Sequence, residues 1–159
     1  MKALFIACLS AHLSIAAEFL VINDIHLNVN ATYNMPMPGE ETSYELLKIV
    51  LQNAQDQAKA KGIIYTAIIL PGDQVRHGLA AYNTSVPNPN WPLMLFTMTE
   101  VLSLISSYFP TTPILPSVGN NDVYYHDLAP TAENATQYYG ELWTRWFENI
   151  PANAAIFND

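Results

Sequence analysis

Hydrophobic positions along the chain fall into short uninterrupted runs alternating with longer stretches that carry an apolar residue every third or fourth position. Phe19-Leu20-Val21-Ile22 is a run of the first kind, stopped by Asn23-Asp24, and it reads as a first strand. The segment from Asn28 to Thr42 holds Asn, Pro and Gly in Tyr33-Asn34-Met35-Pro36-Met37-Pro38-Gly39, which disfavours regular structure. From Ser43 to Lys61, Leu46, Leu47, Val50, Leu51, Ala54 and Ala58 recur at helical spacing. With Thr42 or Ser43 as N-cap and Gly62 as C-cap, this predicts a surface helix with one buried stripe. The run Ile63-Ile64-Tyr65-Thr66-Ala67-Ile68-Ile69-Leu70 predicts a strand covered on both faces. Pro71-Gly72-Asp73 ends it, a loop rich in Asn and Pro runs to Pro92, and an apolar helix is expected from Leu93 to Tyr108, with Met94 and Met98 in the core. Ile114-Leu115-Pro116-Ser117-Val118 reads as a third strand leading into Gly119-Asn120-Asn121-Asp122. A last amphipathic helix would put Tyr139, Leu142, Trp143, Trp146 and Phe147 on one face.

Strands alternating with helices, the strands nearly continuous in apolar residues, define the α/β class, with parallel β-strands joined by right-handed helical crossovers. Parallel strands end on the same edge of a sheet, and that edge is where ligands bind in open α/β folds. The residues at the three strand ends therefore matter most.

Composition narrows the chemistry. With 159 residues the chain suits one domain with a real core, and half of it is hydrophobic. Six Lys and Arg against 14 Asp and Glu leave a net charge of −8, so no basic cluster exists for a polyanionic backbone and no nucleic-acid surface is expected. Lys2, the apolar run Ala3 to Leu9 and the small residues up to Ala16-Ala17 have the layout of a signal peptide, residues 1–17, with 18–159 as the mature domain. The alternative, a retained anchor, needs about 18 apolar residues, and Ser10, His12 and Ser14 interrupt the run. After cleavage no transmembrane segment would remain. Cys8 lies inside that segment, so no disulfide framework is available. The sequons Asn30-Ala31-Thr32, Asn83-Thr84-Ser85 and Asn134-Ala135-Thr136 are compatible with a glycoprotein that is secreted or resides in a secretory or lysosome-like lumen.

At the three strand ends stand Asp24-Ile25-His26, Gly72-Asp73 with Arg76 and His77, and Gly119-Asn120-Asn121-Asp122. Carboxylate, imidazole and amide suit divalent or trivalent first-row metals, and the absence of thiols argues against a structural zinc-finger site. Each motif alone occurs in ordinary turns. Their recurrence after three predicted strands, each one crossover apart, is much harder to obtain from turn chemistry. Tyr33, Trp91, Tyr124 and Tyr125 are placed in loops on the same edge, as candidates to hold an apolar or sugar-like leaving group.

These residues resemble the calcineurin-like metallophosphatase superfamily, whose pattern is Asp-x-His, then Gly-Asp-x-x, then Gly-Asn-His-Asp or Gly-Asn-His-Glu. Gly72-Asp73-Gln74-Val75-Arg76-His77 and Gly119-Asn120-Asn121-Asp122 look most like its acid sphingomyelinase and endopolyphosphatase branch, over about Phe19 to Phe147. The resemblance implies the first half of an α/β/β/α sandwich holding two metal ions, Zn or Fe and Mn. Asp24 and His26 would hold the first ion, Asp73 would bridge both, and Asn120 would hold the second. It implies hydrolysis of a phosphoester, by water activated between the ions, on a small-molecule, lipid or polyphosphate substrate. His77, Asn121 and Asp122 would be the catalytic residues around them.

Two departures from the pattern qualify what it implies. Asn121 stands where most of the superfamily has His, and an amide can hydrogen-bond a phosphate oxygen but cannot act as a general acid. Protonation of the leaving group is then open between His77 and His126, with His126 read as a surface-loop residue. The family completes its metal shells with histidines from the C-terminal half of the domain, whereas no His follows His126. Either the chain is a fragment lacking that half, or it is a truncated, catalytically inactive relative that keeps the front of the site.

Overall fold

The structure, a computed structural model, describes residues 17–32, 41–82 and 88–157. The expected signal segment up to Ala16, Tyr33 and the Asn83 sequon lie outside the described residues. Phe19–Val21 (β1), Ala67–Leu70 (β2) and Ile114–Pro116 (β3) form one parallel sheet in the order β1-β2-β3. Leu20 faces Ile68, which faces Ile114. Helices Tyr44–Lys61 (α1) and Trp91–Tyr108 (α2) make the two crossovers, as the alternation of the chain predicts. The central strand is the driest, with Ile68 and Leu70 fully buried.

Local chemistry explains the helix ends. Ser43 Oγ accepts from Leu46 N at 3.1 Å and starts α1. At the other end Gly62 takes the left-handed conformation (φ 65°), while Gly62 N donates to Lys59 O and Ile63 N to Ala58 O. Those two bonds are a Schellman motif, and they satisfy carbonyls that the helix would otherwise leave open. Leu47 and Leu51 face the core, and α1 meets α2 through polar ties as well: Tyr44 Oη donates to Glu100 at 2.8 Å. Burial first, then that carboxylate, push the Tyr44 phenol up to about 12. Helix α2 fills the middle of the domain, with Met94 and Met98 fully buried as expected, beside Val101, Leu102 and Ile105. Among the described residues no helix is long and apolar enough to cross a membrane.

Three local expectations need correction. The run from Ile63 is a strand only from Ala67, because Ile63 N is committed to the helix end and Ile64 stays 87% exposed. Neighbouring β1 begins at Phe19, so residues before Thr66 have no partner to pair with in that strand. Trp91 is not a loop residue at the ligand edge: it opens α2, buried, with its indole N–H on Glu141 at 2.9 Å and its ring stacked on Tyr138. The single final helix is instead a helix Ala135–Trp143 (α3), a π-helical turn Thr144–Glu148 and a helix Pro151–Phe157 (α4). Tyr138, Leu142 and Trp146 form its buried stripe, while Tyr139 and Trp143 are exposed and line a groove of about 320 Å³ with Pro116 and Val118.

Helix α4 reveals how the outer side of β3 is covered. Fully buried Asn153 accepts from Ile114 N and donates to Ile114 O, both at 2.7 Å, and also donates to Trp146 O. One side chain thus takes the place of a neighbouring strand at Ile114. Asn153→Leu should cost about 3 kcal/mol or more in urea unfolding, since it strands buried backbone groups worth about 1–3 kcal/mol each. A loss below about 1 kcal/mol would show that this amide is not what satisfies the edge.

Candidate metal centre

The loop after β1 does not leave the sheet freely. His26 N donates to Asp73 O at 2.9 Å and Leu27 N to Gln74 O at 2.8 Å, so the loops after β1 and β2 run side by side as if the strands continued. Leu27 bridges both Val75 and Thr42. Burial alternates along Asp24-Ile25-His26-Leu27, with Ile25 and Leu27 in the core. The Asp-x-His spacing therefore sets Asp24 and His26 on the side away from the core, next to Asp73.

The loops after β2 and β3 meet backbone to backbone. Gly72 has φ 137°, and a Cβ there would collide with the main chain of Val118 and Gly119. A Cβ on Gly119 would run into the backbone and carboxylate of Asp73. Glycine is required at both positions for the contact to exist. Asp122 then latches it: Oδ1 accepts from Gln74 N at 2.8 Å and Val75 N at 3.0 Å, and Oδ2 from Gly119 N at 2.9 Å. Burial raises the Asp122 pKa, the three N–H groups lower it, and the Asp73 charge adds to the rise. Fully buried with both oxygens engaged, Asp122 has no face open to a substrate. Its placement is that of a clamp. Asn121 is also buried, and its backbone N–H and Nδ2 both donate to Asp73 Oδ1, at 2.9 and 3.2 Å. Its own Oδ1 is buried without a hydrogen-bond partner among the described residues.

Asp24, His26 and Asp73 each bring a ligand atom within 4.8 Å of the others. The chemistry of this donor set fits a cation. His26 Nδ1 lies 3.2 Å from the Val75 carbonyl, which can only accept, so Nδ1 carries hydrogen and Nε2 is the ring atom left to ligate. Nε2 is 3.8 Å from Asp24 Oδ1. A lone pair facing carboxylates is repulsive unless a proton or a metal ion lies between them. The backbone points the same way: Asp24 (φ 51°), His26 (φ 44°) and Asp73 (φ 53°) all sit in the left-handed region, where a side chain is disfavoured. Three such residues in one cluster mark a site whose geometry is held by its surroundings rather than by local preference.

The remaining candidates lie around this core. His77 is exposed, but its ring stacks on His26 with centroids 4.1 Å apart, and its Nδ1 is 2.8 Å from Glu41 Oε1. Glu41 also accepts from His77 N and, with His26 and His77, forms a second group of converging ligand atoms. No spacing rule pointed to Glu41, which lies 36 residues from His77 and is brought there by the Leu27–Thr42 bridge. Asn120 is next to Asn121 but exposed, with its Nδ2 3.1 Å from His126 Nε2. Arg76 turns a guanidinium nitrogen to the His77 carbonyl at 3.2 Å.

Residues 17–159 match the family described as Calcineurin-like phosphoesterase. The chain is 30% identical over 112 residues to Sphingomyelinase phosphodiesterase C of Dictyostelium discoideum, covering 69% of this chain and 22% of that protein. It is 34% identical over 86 residues to Sphingomyelinase phosphodiesterase D of the same organism, covering 54% of this chain and 17% of the relative. The chain thus spans about a fifth of the length of these curated relatives.

The latch makes a stability prediction. Asp122→Ala would orphan the buried N–H groups of Gln74 and Val75 and the part-buried one of Gly119, and should lower the unfolding free energy by about 3 kcal/mol or more, whereas Asp122→Asn, which can still accept from Gln74 and Val75, should cost less. Equal, small losses in chemical denaturation would show that the two loops are held by other contacts.

Proposed function

The chain belongs to the calcineurin-like phosphoesterase family, and on that premise we propose that it carries the cation-binding part of a metal-dependent hydrolase of phosphate esters. The observation that supports this reading best is the meeting of Asp24, His26 and Asp73 at the ends of parallel strands. In this reading Asp24 and His26 would hold one ion, Asp73 would be shared between two, and Asn120 would belong to the second. Zinc, iron and manganese all suit that donor set. Divalent ions held there would supply positive charge beside a phosphoryl oxygen and a lowered pKa for water.

The chain's own residues do the positioning. Asn121 fixes the rotation of the Asp73 carboxylate by donating twice to Oδ1, and Val75 O fixes the His26 tautomer. Asp122 acts at one remove, by joining the loops that carry Asp73 and Asn120. His77, with Nδ1 on the Glu41 carboxylate, has Nε2 as the atom through which a proton could pass to a leaving oxygen. Asn121 contributes no proton.

For substrate we propose either a sphingomyelin-like phosphodiester on a small molecule or lipid, following the names of the relatives, or a polyphosphate, following the motif spacing. The acidic composition disfavours nucleic acid. A secreted or lumenal setting is supported by the signal-like N-terminus and by the exposed sequon at Asn30.

Metal content separates the roles. After dialysis against Zn²⁺ or Mn²⁺, Asp73→Ala should retain less metal than Asn120→Ala, because a shared carboxylate serves two ions and a neutral amide serves one. Elemental analysis reads this directly. Equal loss, or no loss, would count against a bridging Asp73. Hydrolysis of bis-p-nitrophenyl phosphate that survives Asp73→Ala would remove the catalytic reading.

A further inference from the structure

Beyond the cluster at Asp73, the loop after β3 carries a chain of polar contacts that the roles above do not use. His126 Nδ1 is 2.8 Å from Asp127 Oδ2, and His126 Nε2 is 3.1 Å from Asn120 Nδ2. A carboxylate only accepts, so Nδ1 carries the hydrogen. An amide NH₂ group only donates, so the Asn120 nitrogen that faces Nε2 gives it a hydrogen. With its NH₂ group committed to the imidazole, the Asn120 amide has its carbonyl oxygen left to offer elsewhere. The ring is itself held in place. His126 N donates to Ala81 O at 2.9 Å, and the Tyr82 ring stacks on the imidazole at 4.8 Å between centroids and 26° between planes. Asp127 adopts φ 61°, a left-handed conformation like those of Asp24, His26 and Asp73.

We infer that His126 is a positioning residue: oriented by Asp127 and Tyr82, it turns Asn120 so that the carbonyl oxygen, rather than the NH₂ group, is presented to a cation. The inference rests on the proposed role of Asn120 as a ligand. The two ends of a carboxamide have nearly the same shape but opposite polarity, and only the oxygen can ligate a metal. An exposed Asn with no partner samples both orientations. Fixing one removes that loss, in the way that hydrogen-bonded partners of metal ligands ordinarily do, with effects of about 10–100-fold on affinity. His126 is therefore more than the surface-loop residue its sequence context suggests.

The test titrates the whole chain with Mn²⁺ and follows the free-ion signal by electron paramagnetic resonance, so no turnover is needed. Asn120→Ala should weaken the weaker of two binding events. His126→Ala should weaken the same event about tenfold. His126→Gln, whose side-chain oxygen can still accept from Asn120, should stay within about threefold of the parent, and it keeps the test open if His126→Ala does not fold. If Asn120→Ala weakens binding while His126→Ala does not, or if His126→Gln is as weak as His126→Ala with the same unfolding midpoint, the positioning role is overturned. If Asn120→Ala leaves binding unchanged, the ligand role of Asn120 fails and the inference falls with it.

Discussion

The contact between Gly72 and Gly119 is the constraint on which the rest of the site depends. Two loops, each leaving a different strand, approach so closely that neither glycine could carry a Cβ. Only that approach lets Asn121 reach the Asp73 carboxylate and lets Asp122 take the amides of Gln74 and Val75. The parallel sheet brings the loops to one edge, and the glycines bring them into contact. Asp122 stabilises the contact with charge-assisted hydrogen bonds to groups that burial would otherwise leave unsatisfied.

What the contact holds together is unfavourable by itself. Two carboxylates, an imidazole with Nε2 toward one of them, and three left-handed backbone positions are gathered in a small volume. A folded chain tolerates such a cluster only where its surroundings over-determine it. Here they do, through paired loops at Leu27, Val75 and Thr42 and through dry anchors such as Ile25. A bound cation would relieve the like-charge repulsion at the positions where the backbone is left-handed.

Much of this was legible in the chain. Strand ends can be read where apolar runs meet Asn, Gly and Asp, and the caps of α1 at Ser43 and Gly62 follow from side-chain chemistry alone. The ligand candidates Asp24, His26 and Asp73 were visible because they directly follow strands, and parallelism brings such positions together. Other features were not legible because they are tertiary. The length of β2 is set by its partner β1, the role of Asn153 by β3, and that of Asp122 by amides 48 and 47 residues away. Helical spacing located Trp146 and Leu142 in the core, yet Trp143 is half-exposed, since periodicity marks a face without saying how far the neighbouring layer extends. Glu41 and His126 carried no motif, and their contacts come from loop bridges at Thr42 and Ala81.

The central claim is that these loops form a cation site, and anomalous diffraction at the zinc edge from crystals grown with Zn²⁺ tests it most directly. The account predicts a peak about 2.0–2.2 Å from His26 Nε2 and from carboxylate oxygens of Asp24 and Asp73. A well-ordered site without such a peak, with zinc bound only at other histidines, would contradict it.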